Sequence, residues 1–436
     1  MSELKVVTRF APSPTGQFHL GGVRSALYNY LFARKNKGIY ILRSEDTDKE
    51  RSKKEYEDDF LKLFEWLGLK PDKFFRQSER TEIYKKYLEK MIADGFAYVS
   101  KEEIKEAGQR NEVIRFKNPN KKITFNDIIL GNITFNTTDL KDFVIAKSLT
   151  EPLYNLTAVI DDYEMGITHV IRGQEHIANT PRQILIQEAI GASRPLYAHL
   201  PLILSKDRAK LSKRDPEVIP ALEYRDLGYL PAAIINFLAL IGWNPGGEQE
   251  VFTLAELIQK FDLNKIRKSG GVFNSEKLDW LNKEHIKLLS PEEIEKNILA
   301  WLPPDKRESK LIPVIFERIS KWGDVKDMAE KGELDFFFKK PAYAKEKLVY
   351  KNSSPEKTLN NLKQALNVLE GLNEKDFTKE NIKKVLMQIA DKLESRGELL
   401  HPVRYALSGM DKSPDPFIIA SIIGKNETLS RLQKAV

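Results

Sequence analysis

Lys5-Val6-Val7-Thr8-Arg9-Phe10 is a β-branched, apolar run, and Ala11-Pro12-Ser13-Pro14-Thr15-Gly16 follows it directly. Two prolines and a glycine cannot extend a strand, so the run ends in a loop. Leu20, Val23, Leu27, Tyr30 and Leu31 then recur at the i+3/i+4 spacing of one helical face, until Gly38 closes the element before Ile39-Tyr40-Ile41-Leu42. Strand, helix, strand within about forty residues predicts a parallel βαβ unit, whose ligands sit beyond the carboxyl ends of the strands.

Outward from this unit the pattern changes. From about Phe75 to Pro152 a helical segment, Tyr84 to Ala93, precedes short β-like runs at Val113–Phe116 and Ile133–Phe135, which reads as an insertion. The strand and helix rhythm returns with Leu156–Ile160, His169–Arg172, a helix over Thr180–Ile190, and Tyr197–Leu204 before a basic loop. Beyond Pro216 the pattern is mostly helical, including Ala232–Ile241, and Trp301-Leu302-Pro303-Pro304 reads as a hinge. In the tail, Leu359, Leu362, Leu366 and Leu369 make one apolar face, and Ile382, Val385, Leu386, Ile389 and Leu393 make another.

Composition bounds the function. The 436 residues imply two to four domains, and 41% hydrophobic with 31% charged residues excludes a disordered chain. No run reaches the roughly 18 apolar residues of a membrane helix, and Met1-Ser2-Glu3-Leu4-Lys5 lacks a signal peptide's apolar stretch, so a cytoplasmic protein with no membrane partner is expected. Cysteine is absent, which removes disulfides, thiol nucleophiles and Cys-based zinc sites. The six histidines, at 19, 169, 176, 199, 285 and 401, include no i, i+4 pair, so no metal site is expected. The net charge is +7, of which residues 301–436 carry +5 (25 Lys+Arg, 20 Asp+Glu). That surplus suits a solvated surface or a polyanionic partner.

Three constellations are able to carry chemistry. Pro12 to Gly22 is a loop running into a helix start, where Gly21 and Gly22 admit close approach, free N–H groups favour a phosphate, and His19 adds a donor. Taken alone, a His-x-Gly also reads as a histidine capping the helix beside glycines needed for packing. It matches neither a Walker loop nor Gly-x-Gly-x-x-Gly. Lys206-Asp207-Arg208-Ala209-Lys210-Leu211-Ser212-Lys213-Arg214 places five cations in nine residues, either a solvated loop or one that neutralises a triphosphate as pyrophosphate departs. Arg9, Arg43 to Asp48, and Arg172-Gly173-Gln174-Glu175-His176 put charges at strand ends. Arginines there suit carboxylate or phosphate and a lone Glu suits an ammonium, while each also reads as a surface ion pair. Tyr154 by itself reads as a core or boundary aromatic.

Taken in order, Ala11 to Gly16 with His19-Leu20-Gly21-Gly22, Arg43 to Asp48, Arg76-Gln77-Ser78-Glu79-Arg80, Tyr154 to Asp162, Gly166 to Gly173, Asn179-Thr180-Pro181-Arg182-Gln183 and Lys210 to Arg214 resemble bacterial glutamyl-tRNA synthetases. Tyr224 to Pro231, Leu278 to Asn282 and Pro402 to Gly409 extend the resemblance over nearly the whole chain. His19 to Gly22 is similar to the HIGH signature of class I aminoacyl-tRNA synthetases and Lys210 to Arg214 to their KMSKS signature.

The resemblance implies an α/β fold: a class I Rossmann-type catalytic domain (1–75 and 153–215) split by an α/β acceptor-binding insertion (76–152), then a helical stem-contact domain (216–300) and an all-α anticodon-binding region (301–436). It implies a ligase that joins L-glutamate to tRNA(Glu) with ATP, Mg²⁺ being carried in on ATP and no zinc held by the protein. Some members also charge tRNA(Gln), and a monomer is the family default. His19, Lys210 and Lys213 become the catalytic residues. Ser13, Thr15, Gly16, His19, Gly21, Gly22, Lys210, Leu211, Ser212, Lys213 and Arg214 would bind ATP. Arg9, Ala11, Ser13, Glu45, Tyr154 and Arg172 would bind glutamate, with Glu175 and His176 lining the same strand end. Ser44 departs from a position usually apolar in the family, and Pro71 to Phe75 is a shortened approach to Arg76. Two rival readings are a truncated paralogue that glutamylates a modified tRNA base, against which residues 301–436 argue, and a silent tRNA-binding module, against which His19, Lys210 and Lys213 argue.

Overall fold

The computed structural model describes residues 5–103, 111–209, 211 and 219–436. The chain divides into two compact units, Met1–Ile286 and Lys287–Val436. The first runs β1 (Val7–Phe10), α1 (Leu20–Lys35), β2 (Ile39–Ser44), α2 (Lys54–Trp66), β3 (Lys73–Arg76), α3 (Thr81–Ala93), β4 (Ala97–Lys101), β5 (Glu112–Phe116), β6 (Lys122–Asp127), β7 (Gly131–Asn136), β8 (Phe143–Ser148), β9 (Glu151–Pro152), α4 (Tyr154–Glu164), β10 (His169–Gly173), α5 (Thr180–Ala189), β11 (Leu196–Leu200), β12 (Ile203–Leu204), α6 (Glu223–Asp226), α7 (Pro231–Leu240), α8 (Leu254–Lys260), β13 (Gly271–Val272) and α9 (Ser275–Lys287).

Seven strands form one sheet in the order β3-β2-β1-β10-β11-β6-β7, parallel except for β7, which runs antiparallel to β6. The Phe75–Pro152 stretch is therefore not one self-contained body. Strands β4, β5, β8 and β9 make a separate antiparallel sheet, while the β6–β7 hairpin extends the parallel one. The physical reason is visible along β6: Ile123, Phe125 and Asp127 are buried and the residues between them exposed, the alternation of a strand covered on one face. Alternation says that one face is covered, not which sheet the strand joins. Leu156–Ile160 lies inside helix α4, where seven consecutive residues, Leu156 to Asp162, are buried, so the apolar period that marks a surface helix is lost.

Register sets which side chains share a face. Arg9 pairs with Ile41, Thr8 with His169, Arg172 with His199 and Tyr197 with Asp127. Side chains alternate along a strand, so Arg9, Arg43, Arg172, His199 and Asp127 all project from one face. On that face Val7, Ile41, Val170 and Tyr197 pack in one core with the apolar residues of α4 and α5. On the other, Leu42, Ile171, Ala198 and Leu200 pack with α1 and α7. Asn29 of α1 ties helix to sheet, its Nδ2 donating to the Ile171 carbonyl at 2.9 Å while its backbone carbonyl accepts from Thr8 Oγ1 at 3.0 Å.

The second unit contains α10 (Pro291–Trp301), α11 (Ile312–Arg318), α12 (Gly323–Glu330), α13 (Pro355–Glu370), α14 (Lys379–Ala390), α15 (Gly397–Ser408), α16 (Pro416–Ile423) and α17 (Lys425–Ala435). Ser290, Ser354 and Thr378 each accept a backbone N–H in the first turn of α10, α13 and α14, satisfying donors that the helix leaves open. The Trp301–Pro304 hinge is an internal corner of this unit, because α10 packs on α11 and α12. Leu362, Leu369, Ile382 and Leu386 are buried as their spacing predicts, whereas Leu359, near the start of α13, is exposed. Arg431 is buried, and its Nη1 donates to the carbonyls of Phe336 and Leu407, both at 2.6 Å.

Candidate active site

A cavity of about 280 Å³ opens at the start of α1, lined by His19, Gly21, Gly22, Arg24, Glu175 and Leu211 together with the apolar Leu20, Leu200, Ile203, Ile219 and Phe273. His19 occupies the N-cap position with extended backbone (φ −116°, ψ 160°), and its side chain makes no cap hydrogen bond. The capping alternative for His19 therefore does not describe it. The two glycines differ in what they allow. A Cβ on Gly22 would lie 2.5 Å from the Phe18 ring, which is itself wedged against Phe10 and Phe64, so Gly22 is a packing requirement. Among the described residues, a Cβ on Gly21 would meet only Ile203, at 4.0 Å, on the side of the cavity. The N-terminal N–H groups and dipole of a sixteen-residue helix thus stand at a largely apolar slot, an arrangement that favours an anion.

Beside this slot, at the carboxyl ends of β1, β2 and β10, lies a buried charge cluster. Arg9 Nε donates to both Asp162 oxygens, at 3.1 and 3.3 Å. Arg43, fully buried, donates to Asp162 Oδ1 at 2.8 Å and Glu45 Oε1 at 3.1 Å, with Asp161 Oδ2 at 3.7 Å. Asp161 is also held by Arg80 at 2.7 Å and by Gln77 and Tyr84, each at 2.8 Å. Burial pushes the Asp162 carboxyl up, but the Arg9 and Arg43 guanidiniums outweigh it and hold the group below its ordinary value. For Glu45 burial wins over Arg43 and Arg9, and its carboxyl lies above the ordinary value.

Arg172 is different. Its Nε donates to His199 Nε2 at 3.2 Å, Nη1 to Gln183 Oε1 at 2.8 Å and Nη2 to Thr180 Oγ1 at 2.9 Å, all neutral acceptors. A guanidinium has five N–H donors, so one N–H on each Nη nitrogen has no acceptor among the described residues. Tyr154 Oη lies 3.3 Å from His176 Nδ1. Burial raises the Tyr154 hydroxyl, with Glu45 adding to it and Arg172 and Arg9 opposing. Burial and then Arg172 push His176 down to about 4, so its ring is neutral at physiological pH. Arg9, Glu45, Tyr154, Arg172 and His176 therefore share one field, and within it Arg172 touches no carboxylate among the described residues.

Of the residues marked in the sequence, His19, Gly21, Gly22, Leu211 and Glu175 meet at the cavity, and Arg9, Glu45, Tyr154, Arg172 and His176 meet at the strand ends. Ala11 is partly buried just past β1. Ser13 and Thr15 are exposed and Gly16 partly so, on the loop before α1, and none of the three lines the cavity. Lys210, Ser212, Lys213 and Arg214 lie outside the described residues. The structure places Arg43 at the centre of the strand-end cluster and adds Asp162, Thr180, Gln183, His199 and Asp127 to it. It also adds Arg24, buried beneath the cavity with its Nη1 donating to the Ile241 carbonyl at 3.3 Å.

Three comparisons bear on this geometry. A family profile described as tRNA synthetases class I (E and Q), catalytic domain, matches residues 5–112 and 100–280, and one described as an anticodon binding domain matches 273–436. The chain is 39% identical to the glutamate–tRNA ligase of Thermodesulfovibrio yellowstonii, covering 99% of both, and 39% identical to glutamate–tRNA ligase 1 of Petrotoga mobilis, covering 98% of this chain and 97% of that one. A crystal structure of a glutamate tRNA ligase from Elizabethkingia meningosepticum in complex with its amino acid superposes with a TM-score of 0.85 at 34% identity, covering 99% of each chain. No helix among the described residues is long and apolar enough to cross a membrane. The slot at a helix start, the charge cluster at parallel strand ends, the helical second unit and full-length similarity lead to one conclusion: the chain belongs to the glutamate–tRNA ligase family of class I aminoacyl-tRNA synthetases.

Proposed function

We propose that this chain activates L-glutamate with MgATP to glutamyl-adenylate and transfers the glutamyl group to the 3′-terminal ribose of tRNA(Glu). The observation that carries the substrate is Arg172, a buried guanidinium with three neutral partners and two open N–H groups, which calls for a carboxylate. Arg9 and Tyr154 flank it, and Glu45 offers the carboxylate that an α-ammonium needs. An α-carboxylate oxygen of glutamate attacks the α-phosphorus of ATP, the bond to the β-phosphate breaks, and pyrophosphate leaves. A ribose hydroxyl of the tRNA then attacks the acyl carbon, and AMP leaves. No protein nucleophile is required, so the residues act by placement and by charge: His19 and the α1 start at the phosphates, Lys210 and Lys213 at the departing pyrophosphate.

The helical second unit and the matching anticodon-binding profile support anticodon binding for residues 301–436, and we assign acceptor binding to residues within 76–152 and stem contact to 216–300 as part of the same proposal. The reading takes the protein as a cytoplasmic monomer. Full-length similarity favours it over the truncated base-modifying paralogue and the silent tRNA-binding module. Purified protein given glutamate, ATP and tRNA is expected to exchange pyrophosphate into ATP, and Lys213→Ala to lower that rate at least 100-fold, the scale of a lost transition-state charge contact of about 3 kcal/mol. Absence of exchange with every tRNA supplied overturns the reading. Charging the glutamate and glutamine tRNAs separately measures its range.

A further inference from the structure

Arg172 is useful only if its open N–H groups point into the site, and the structure shows a device that holds it there. The Arg172 Nε–H can only donate, so His199 Nε2 must accept, and the imidazole proton then sits on Nδ1. Nδ1 lies 2.7 Å from Asp127 Oδ2, and the His199 backbone N–H donates to the same oxygen at 3.0 Å. Asp127 Oδ1 takes the N–H groups of Ile129 and Leu130, at 3.0 and 2.9 Å. Both side chains are fully buried, and Tyr197 lies parallel to the imidazole at an interplanar angle of 13°. Strand register makes the chain possible, since Arg172 stands directly beside His199 and Asp127 beside Tyr197.

We propose that His199 is a positioning residue for substrate carboxylate recognition: Asp127 fixes its tautomer, the tautomer presents Nε2 to Arg172, and the guanidinium is thereby aimed. The β6–β7 hairpin, which carries Asp127, belongs to the recognition machinery through this relay although it touches no substrate. Burial lowers the His199 imidazole, and Arg172 beside it lowers it further against the opposing pull of Asp127, so the neutral acceptor form persists at physiological pH. Asp127 works in the same direction: burial pushes it up, but the His199 hydrogen bond and the Leu130 N–H outweigh that and keep it a carboxylate. The inference rests on the assignment of Arg172 to the substrate carboxylate.

The test measures glutamate KM and ATP KM by pyrophosphate exchange in the full chain with tRNA present. His199→Phe keeps the ring and removes both nitrogens. The hydrogen bonds to Arg172 and to Asp127 are both lost, and loss of the one that aims the Arg172 guanidinium is expected to raise glutamate KM roughly 10- to 100-fold while ATP KM stays within about threefold. His199→Gln, whose Oε1 can accept from Arg172 Nε, is expected to recover most of that loss. Equal rises in both KM values, or no recovery by Gln, overturn the positioning role. If His199→Phe fails to fold, Asp127→Asn carries the test, with a glutamate-selective KM rise expected and an unchanged glutamate KM overturning the proposal. Arg172→Lys separates the two levels. A glutamate KM unchanged by Arg172→Lys refutes the substrate assignment itself, whereas a raised one with an unaffected His199→Phe refutes the relay alone.

Discussion

Arg43→Met tests whether the strand-end cluster is held by one buried cation. Arg43 is wholly buried among three carboxylates, with Asp162 at 2.8 Å, Glu45 at 3.1 Å and Asp161 at 3.7 Å. Methionine fills similar volume without the charge. Asp161 keeps Arg80, Gln77 and Tyr84, and Asp162 keeps Arg9, but Glu45 loses its ion-pair partner. Removing one member of a buried pair costs about 3–5 kcal/mol, because the charge left behind has no water and no counter-ion. For a unit of this size that corresponds to a fall in melting temperature on the order of 10 °C. The sign with pH follows from the carboxyls. Asp162 is depressed in the fold, so in the wild type its contribution is present above the ordinary carboxylate range near ~4 and is lost as pH falls through its lower folded value. In the variant Glu45 and Asp162 both rise, and as pH falls from 8 toward 5 they take up protons and the penalty shrinks. Calorimetric melts across that range should show a wild-type to variant gap widest at high pH. A gap below about 2 °C, or one that does not narrow on acidification, refutes the reasoning.

Gly22→Ala should destabilise by about 1–3 kcal/mol, since its Cβ would overlap a Phe18 ring packed among other rings, while Gly21→Ala should leave stability unchanged or slightly higher and instead weaken ATP binding. Thermal melts with ATP titrations distinguish the pair, and equal destabilisation of both would contradict the assignment. Ser44 is fully buried and its Oγ has no hydrogen-bond partner among the described residues, so Ser44→Ala should raise stability by about 1 kcal/mol in denaturant unfolding. A loss of stability would mean the hydroxyl is satisfied. His176 should titrate near 4 by NMR, remaining neutral through pH 6–8. Because this value lies below that of the unfolded chain, near ~6.5, protonation opposes folding as pH falls below ~6.5. A midpoint near 6.5 would remove the burial and the Arg172 field from the account.

The strand-end site carried a signal in the sequence that is easy to pass over. Arg9, Arg43, Asp127, Arg172 and His199 each stand two residues after an apolar residue of the same face: Val7, Ile41, Phe125, Val170 and Tyr197. A charged or titratable side chain in phase with a buried face, at the end of its strand, has to be paired inside the protein. Arg9, Arg43 and Arg172 were readable as charges at strand ends. Asp127 was not, because it lies in a stretch that reads as an insertion, and His199 sits in an apolar strand with no motif around it.

Sequence by itself determined what depends on neighbours along the chain. The βαβ start, the Pro/Gly loop into α1, the glycines beside His19, the apolar faces of the tail helices and the family follow from local periodicity and ordered motifs. Tertiary structure decided the rest: that the β6–β7 hairpin completes the parallel sheet, that Leu156–Ile160 is a buried helix, and which partner each buried charge takes. Those pairings join residues 72 positions apart for Asp127 and His199 and 153 apart for Arg9 and Asp162. Periodicity records that a side chain faces inward. Only strand order and register, set by burying whole faces against one another, record what it meets there.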